Sequence, residues 1–245
     1  DIVEFIGAEK DDLVKYVKGG YLQELGDFSA THCVNEHFLE KLKILNGTYV
    51  LPLSVNYRGI FYNRRMMEEN GYQIPSTYAE LIHTMQQIKK ARKLPIVFAD
   101  KDSWTIHQGW DAIDMSSRGS QDNLFQNVLN GTTVLYEDPI ALDSTRKFLE
   151  IRQYGQKQTI NTGYDEAVKK FAKGEAYMFL QGNWAYPIIK KINPYMDLLF
   201  MPFPTYNENQ ARIVVKIDAT LGVSASCKHP EAAGKFLDYV FSKNV

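Results

Sequence analysis

Along the whole chain, short apolar runs alternate with stretches in which apolar side chains recur every three or four positions. Runs of the first kind predict strands and those of the second predict amphipathic helices. Residues 1–6 read as a strand. Lys10–Lys18 reads as a helix with Leu13, Tyr16 and Val17 on one face and Gly19-Gly20 as its stop. A second helix is expected over 36–45, carrying Phe38, Leu39, Leu42 and Leu45, before the turn signal Asn46-Gly47. Residues 49–55 and 59–62 are strand-like, and 64–70 is a short helix closed by Gly71. Thr77 and Glu80 form a T-x-x-E capping box ahead of Tyr78, Leu81, Ile82, Met85 and Ile88 at helical spacing. A short buried strand over 95–99 precedes helices over 103–117 and 121–130. Asp138-Pro139 opens a long helix to about Tyr154, with proline where its missing N–H does no harm. A helix over 165–173 leads to the apolar run 176–180, which ends at Gln181-Gly182 with Trp184 at the start of a new helix. Residues 198–203, 213–217 and 221–224 are read as strands, and Pro230 opens a final helix bearing Ala233, Phe236, Leu237, Val240 and Phe241. Strand and helix patterns in such alternation predict an α/β fold.

Two polar stretches interrupt this pattern, one near residues 54–58 and one, bounded by proline, over 205–212. The second could be a crossing or only a surface loop; read as two chain crossings with no flexible linker, the pair predicts two lobes joined by short extended segments, an arrangement that permits hinge motion about a central cleft. The N-terminal lobe is then discontinuous, 1–55 with 206–245, and 56–205 forms the C-terminal lobe.

Composition narrows the function. With 28 basic and 29 acidic residues the formal charge is −1, which argues against a nucleic-acid partner. No apolar segment reaches the roughly 18–20 residues of a membrane span. Cys33 and Cys227 form no CxxC and are read as two buried free thiols. Aromatic residues are dense, with 15 Tyr, 13 Phe and 3 Trp. Rings in excess of core needs supply the large rigid contact area that carbohydrate binding uses.

The motifs of common catalytic classes, GxSxG, HExxH, the Walker A loop and GxGxxG, are absent from the sequence. The five histidines are scattered. Cys33 and His37 share a face at i, i+4 if one helix carries both, too few ligands for a metal without a third from elsewhere. No metal or cofactor is expected. Asp102 and Asp111 could supply the carboxylate pair of a glycoside-acting enzyme. Binding has more support. Trp104, Trp110 and Trp184 stand at segment ends, where ligands bind in open α/β sheets, and have Asp102, Asp111 and Asn183 close by. Flat rings stack on the C–H face of a sugar, while Asp102, Asn56, Asn183 and Asp218 can hydrogen-bond its hydroxyls.

Several stretches in order resemble the extracellular solute-binding proteins of ABC sugar importers, the group that includes maltose-binding protein. These are Asp1-Ile2-Val3 through Gly20-Tyr21-Leu22; Leu51-Pro52 through Asn56 and Tyr62-Asn63; the helix start at Pro75; Phe171-x-x-Gly174 with Ala176-x-Met178 and Gly182-Asn183-Trp184; Met201-Pro202-x-Pro204; and His229-Pro230-Glu231-Ala232-Ala233 with Phe236-Leu237. The resemblance implies a two-lobed periplasmic-binding-protein-like α/β fold of type II that holds an oligosaccharide in the cleft. It also implies a monomer at the cell surface or in the periplasm, as a lipoprotein or free, that delivers sugar to permease subunits and is not an enzyme. It assigns Trp184 as the stacking ring of the C-terminal lobe. Asn56 becomes a hinge residue facing ligand, Trp104 the aromatic before the cleft helix, Glu9 part of a sugar-contacting loop and Asp218 a strand residue near the cleft. The family pattern has a strand and helix before Asp1 and further helices after Val245, so the N-terminal lobe is expected to be incomplete. A polyol or peptide ligand is the alternative within binding proteins, although no arginine pair suited to clamping peptide termini stands at a strand end.

Overall fold

The computed structural model describes residues 1–7, 10–26, 28–119 and 124–242. In chain order its first elements are β1 (Ile2–Ile6), α1 (Lys10–Lys18), α2 (Glu36–Leu42), β2 (Val50–Pro52), β3 (Val55–Asn56), β4 (Arg58–Asn63), α3 (Arg64–Glu69), α4 (Tyr78–Lys90) and β5 (Leu94–Val97). There follow α5 (Ser103–Arg118), α6 (Leu124–Leu129), α7 (Pro139–Arg152), α8 (Tyr164–Ala172), β6 (Ala176–Gly182), α9 (Ala185–Ile192), β7 (Leu198–Met201), β8 (Lys216–Ile217), β9 (Ala219–Val223) and α10 (Pro230–Val240). The chain divides into two compact units, Asp1–Asn56 with Val215–Val245, and Tyr57–Val214. The polar stretch 205–212 falls inside the second of these.

In the first unit β9 is the central strand, with β1 and β2 antiparallel to it on either side. Strand alternation sorts the side chains to two faces. Leu51, Leu221 and Val223 pack with Ala233 and Leu237 of α10, while Val50 packs with Leu13 and Val17 of α1 and Leu42 of α2. The two-residue strands β3 and β8 pair separately.

The second unit is built on a mixed sheet in the order β5-β6-β4-β7, parallel between β5 and β6 and antiparallel elsewhere. On one face Ile60, Tyr62, Ile96, Met178 and Leu180 meet α4, α5 and α7; on the other Phe61, Val97 and Phe179 meet α8 and α9. Helices on both faces explain why every residue of β6 is buried, and why residues 176–180 of that strand read as an apolar run. The helix starts follow their sequence signals. Thr77 Oγ1 accepts from Glu80 N at 3.3 Å while Glu80 Oε2 accepts from Ser76 and Thr77 amides, and Asp138 caps α7 by accepting from Ala141 N at 2.7 Å.

Several boundaries differ from the sequence expectation. Helix α2 stops at Leu42, because Leu45 and Asn46 take left-handed backbone angles (φ 50° and 66°) in the turn that bridges Ile44 to Gly47. Only Lys216–Ile217 of the run 213–217 is strand, and β7 ends at Met201, next to a proline that has no N–H to give a ladder. Part of the helix expected over 121–130 lies outside the described residues; the rest forms α6. Both cysteines are free, but Cys33 is exposed and Cys227 half-buried. Cys33 closes a 3-10 turn, Ser29–Cys33, that is separate from α2, so it shares no helix face with His37.

Candidate functional site

Strand β6 delivers Trp184. At its end Asn183 and Tyr57 exchange two hydrogen bonds of 3.0 Å, Asn183 N to Tyr57 O and Tyr57 N to Asn183 Oδ1. This double clamp closes the β4–β6 ladder and turns the chain into α9, with Trp184 just before the helix. Beneath the indole lies Gly182. A Cβ built there would stand 2.0–2.4 Å from three atoms of the Trp184 ring, so only glycine lets the ring rest on the strand end.

Trp104 comes from the first turn of α5, and two loops hold that turn against α8. Asp102 makes no side-chain cap of its own helix; its Oδ2 instead accepts from Tyr164 N, the first residue of α8, at 2.6 Å. Lys101 N donates to Thr162 O, and Thr105 Oγ1 reaches Ala99 O and Asp102 O at 2.8 Å. The stitching sets the Trp104 and Tyr164 rings 5.0 Å apart, and Trp104 and Trp184 lie 6.2 Å apart at 55°. Two indoles from distant parts of the sequence thus make one angled surface, and Trp104 keeps 41% of its area exposed. On the Trp104 side of the pair, without Trp184 in its lining, a cavity of about 450 Å³ is bounded by Lys101, Asp102, Trp104, Tyr164, Asp165 and Glu166. Burial pushes the Tyr164 hydroxyl up to about 12, and that hydroxyl has no hydrogen-bond partner among the described residues.

Behind Trp184 lies a largely buried cation. The Arg58 guanidinium carbon is 5.9 Å from the centroid of the Trp184 ring. Its Nε donates to Gln108 Oε1, and its Nη1 lies 3.7 Å from Asp111 Oδ2 and 3.9 Å from Met115 Sδ, all three on α5.

The other sequence candidates are placed differently. Trp110 is not part of the aromatic pair: its Nε1 donates to Thr145 on α7 and its ring packs on Phe125. Asn183 uses its backbone N–H and its Oδ1 in the clamp to Tyr57. In the first unit Asn56 is buried, and its Nδ2 donates to Asp218 Oδ1 at 2.8 Å, while Asn56 Oδ1 has no partner among the described residues. Backbone bonds from Gly7 N to Asp218 O and from Asp218 N to Ser54 O fix that pair where β1, β3 and β9 end. Glu9 lies outside the described residues. Sequence reasoning passed over Tyr164 and Arg58. The signal available for Tyr164 was an aromatic opening a helix after glycine; for Arg58, a cation at the start of an apolar strand.

A larger cavity, about 530 Å³, lies elsewhere on the second unit, around Asp143, Lys147, Tyr206 and Arg212. Its buried Lys147 is already neutralised by Asp143 at 2.9 Å and covered by the Tyr206 ring at 3.9 Å, so its wall is an internal structural pairing. Among the described residues no group of three or more His, Cys, Asp or Glu side chains could hold a metal ion.

Known proteins share this architecture. The chain is 26% identical over 234 residues to a multiple sugar-binding protein of Streptococcus mutans, covering 94% of this chain and 56% of that one. It is 22% identical over 192 residues to the melibiose/raffinose/stachyose-binding protein MelE of Bacillus subtilis, covering 76% and 45%. Among solved structures it resembles the solute-binding protein RafE in complex with raffinose, with a TM-score of 0.84 at 25% identity over 98% of this chain and 63% of that one. The chain therefore spans about half the length of these curated relatives. The model of the bacterial extracellular solute-binding protein family matches residues 1–244, and with two compact α/β units and an aromatic surface at the strand ends of the second, the chain belongs to that family.

Proposed function

We propose that this chain captures a neutral oligosaccharide outside the cytoplasm and presents it to the membrane permease of an ABC transporter, without chemical change to the sugar. The observation that carries the proposal is the Trp104–Trp184 pair, two partly open indole faces held at an angle, with a cavity edged with carboxylates against Trp104. Indole faces match the C–H faces of pyranose rings, and Asp165 and Glu166 at the cavity edge can accept from hydroxyls. In the first unit the Asn56–Asp218 pair offers the same polar chemistry. The names of the relatives, which specify raffinose, stachyose and multiple sugars, support raffinose and stachyose as the first ligands to try.

Geometry also weighs against the glycoside-acting alternative. Asp102 already accepts the Tyr164 amide, and Asp111 is buried against Arg58. Both carboxylates thus have structural partners of their own, which favours a structural role for each.

The test is isothermal calorimetry with raffinose, stachyose, melibiose and maltotriose. At least one should bind, and Trp184→Ala should weaken it at least tenfold, about 1.4 kcal/mol. No heat from any of the four, or an unchanged affinity in the variant, overturns the assignment. Hydrolysis of a chromogenic glycoside that disappears in Asp102→Asn would establish the enzyme instead.

A further inference from the structure

We propose that Arg58 is a positioning residue for the aromatic pair: it ties Trp184 to the helix that bears Trp104, and so sets the 6.2 Å, 55° arrangement of the two indoles. This rests on the sugar-binding reading of that pair. Trp184 belongs to the β6–α9 junction and Trp104 to the first turn of α5, and nothing in the local sequence of either fixes the angle between them. Arg58 touches both elements. It pairs with Gly182 in the β4–β6 register, directly beneath the Trp184 ring. Its contacts with Gln108, Asp111 and Met115 reach α5.

The chemistry suits such a brace. The Arg58 side chain is only 9% exposed, and a buried guanidinium has to be compensated on every side. Asp111 supplies the charge, Gln108 a planar acceptor and the indole an electron-rich face within the range of a cation–π contact. A lysine keeps the charge but not the planar fork, so it cannot hold all three partners at once. The glycine floor and the cation act together. Gly182 allows the ring to lie low, and Arg58 determines where it lies relative to α5.

Two indoles this close couple their electronic transitions, and the sign and size of the resulting circular-dichroism couplet near 225 nm depend on their mutual orientation. The couplet should be present in the unliganded protein and absent in Trp104→Phe. Arg58→Lys should reduce or invert it while the thermal midpoint stays within a few degrees, and affinity for raffinose should fall by about five- to thirtyfold. Gln108→Leu, a milder change outside the strand, should move the couplet in the same direction and covers the case in which Arg58→Lys does not fold. A wild-type couplet in Arg58→Lys or, should that variant not fold, in Gln108→Leu overturns the proposal. If the wild-type chain binds no sugar, the functional reading fails and the couplet still decides the role of Arg58.

Discussion

The side chain on which most depends is one that is missing. Gly182 ends β6 with a normal backbone, so no left-handed angle demands glycine there. What demands it is the indole above. Gly182→Ala places a methyl group 2.0–2.4 Å from the Trp184 ring, and the ring has to lift. Overpacking of this kind costs about 1–3 kcal/mol. The expected result is a chain that folds with a lowered unfolding midpoint, an altered indole couplet and sugar affinity reduced at least tenfold. Wild-type affinity with an unchanged couplet would show that the ring does not need its floor. From the sequence Gly182 was legible only as a strand end. Its role as a floor depends on a χ angle of Trp184, which no local pattern specifies. Trp110 marks the same limit from the other side. It too has a polar residue close by, Asp111, yet it is turned toward α7 and hydrogen-bonded there.

Between elements, one buried electrostatic joint is Arg118, the last residue of α5. It bonds Asp114 on its own helix at 2.7 Å and Asp138, the cap of α7, at 2.6 Å, with its side chain 3% exposed. Replacement by alanine leaves two largely buried carboxylates without their cation and should cost about 3–5 kcal/mol at neutral pH. The Arg118 hydrogen bond holds the Asp138 carboxyl below its ordinary value of 3.8. Because the folded-state value is the lower one, the stability from ionised Asp138 is complete above pH 3.8. It is lost as pH falls through the folded value. Urea unfolding of wild type and Arg118→Ala should therefore differ most at pH 7, and the gap should narrow below about pH 4. A gap that stays constant across that range would remove Asp138 from the account. At this scale the helix starts were legible, since Thr77 with Glu80 and Asp138 with Pro139 are local signals satisfied within one turn. Helix and strand ends were less so. Helix α2 gives way to the left-handed turn at Leu45 and Asn46, and β8 is limited to the two residues that pair with β3.

For the molecule as a whole, a net charge of −1 and a neutral ligand predict binding that salt barely affects. Affinity for the best oligosaccharide should change less than about twofold between 50 and 500 mM salt. A strong loss would mean a charged ligand and a different assignment for the cavity at Lys101, Asp165 and Glu166. By itself the sequence determined the alternation of strands and helices, the capped helix starts, the apolar run of β6 and the presence of indoles at strand ends. Each of these is a property of neighbouring residues and of the periods 2 and 3.6. Only the tertiary structure decided that Trp104 and Trp184 share one surface while Trp110 does not, that Asp102 caps α8, and that Arg58 lies beneath an indole. These pairings join residues far apart along the chain, and distance in space is fixed by sheet order and helix packing, which no local period encodes.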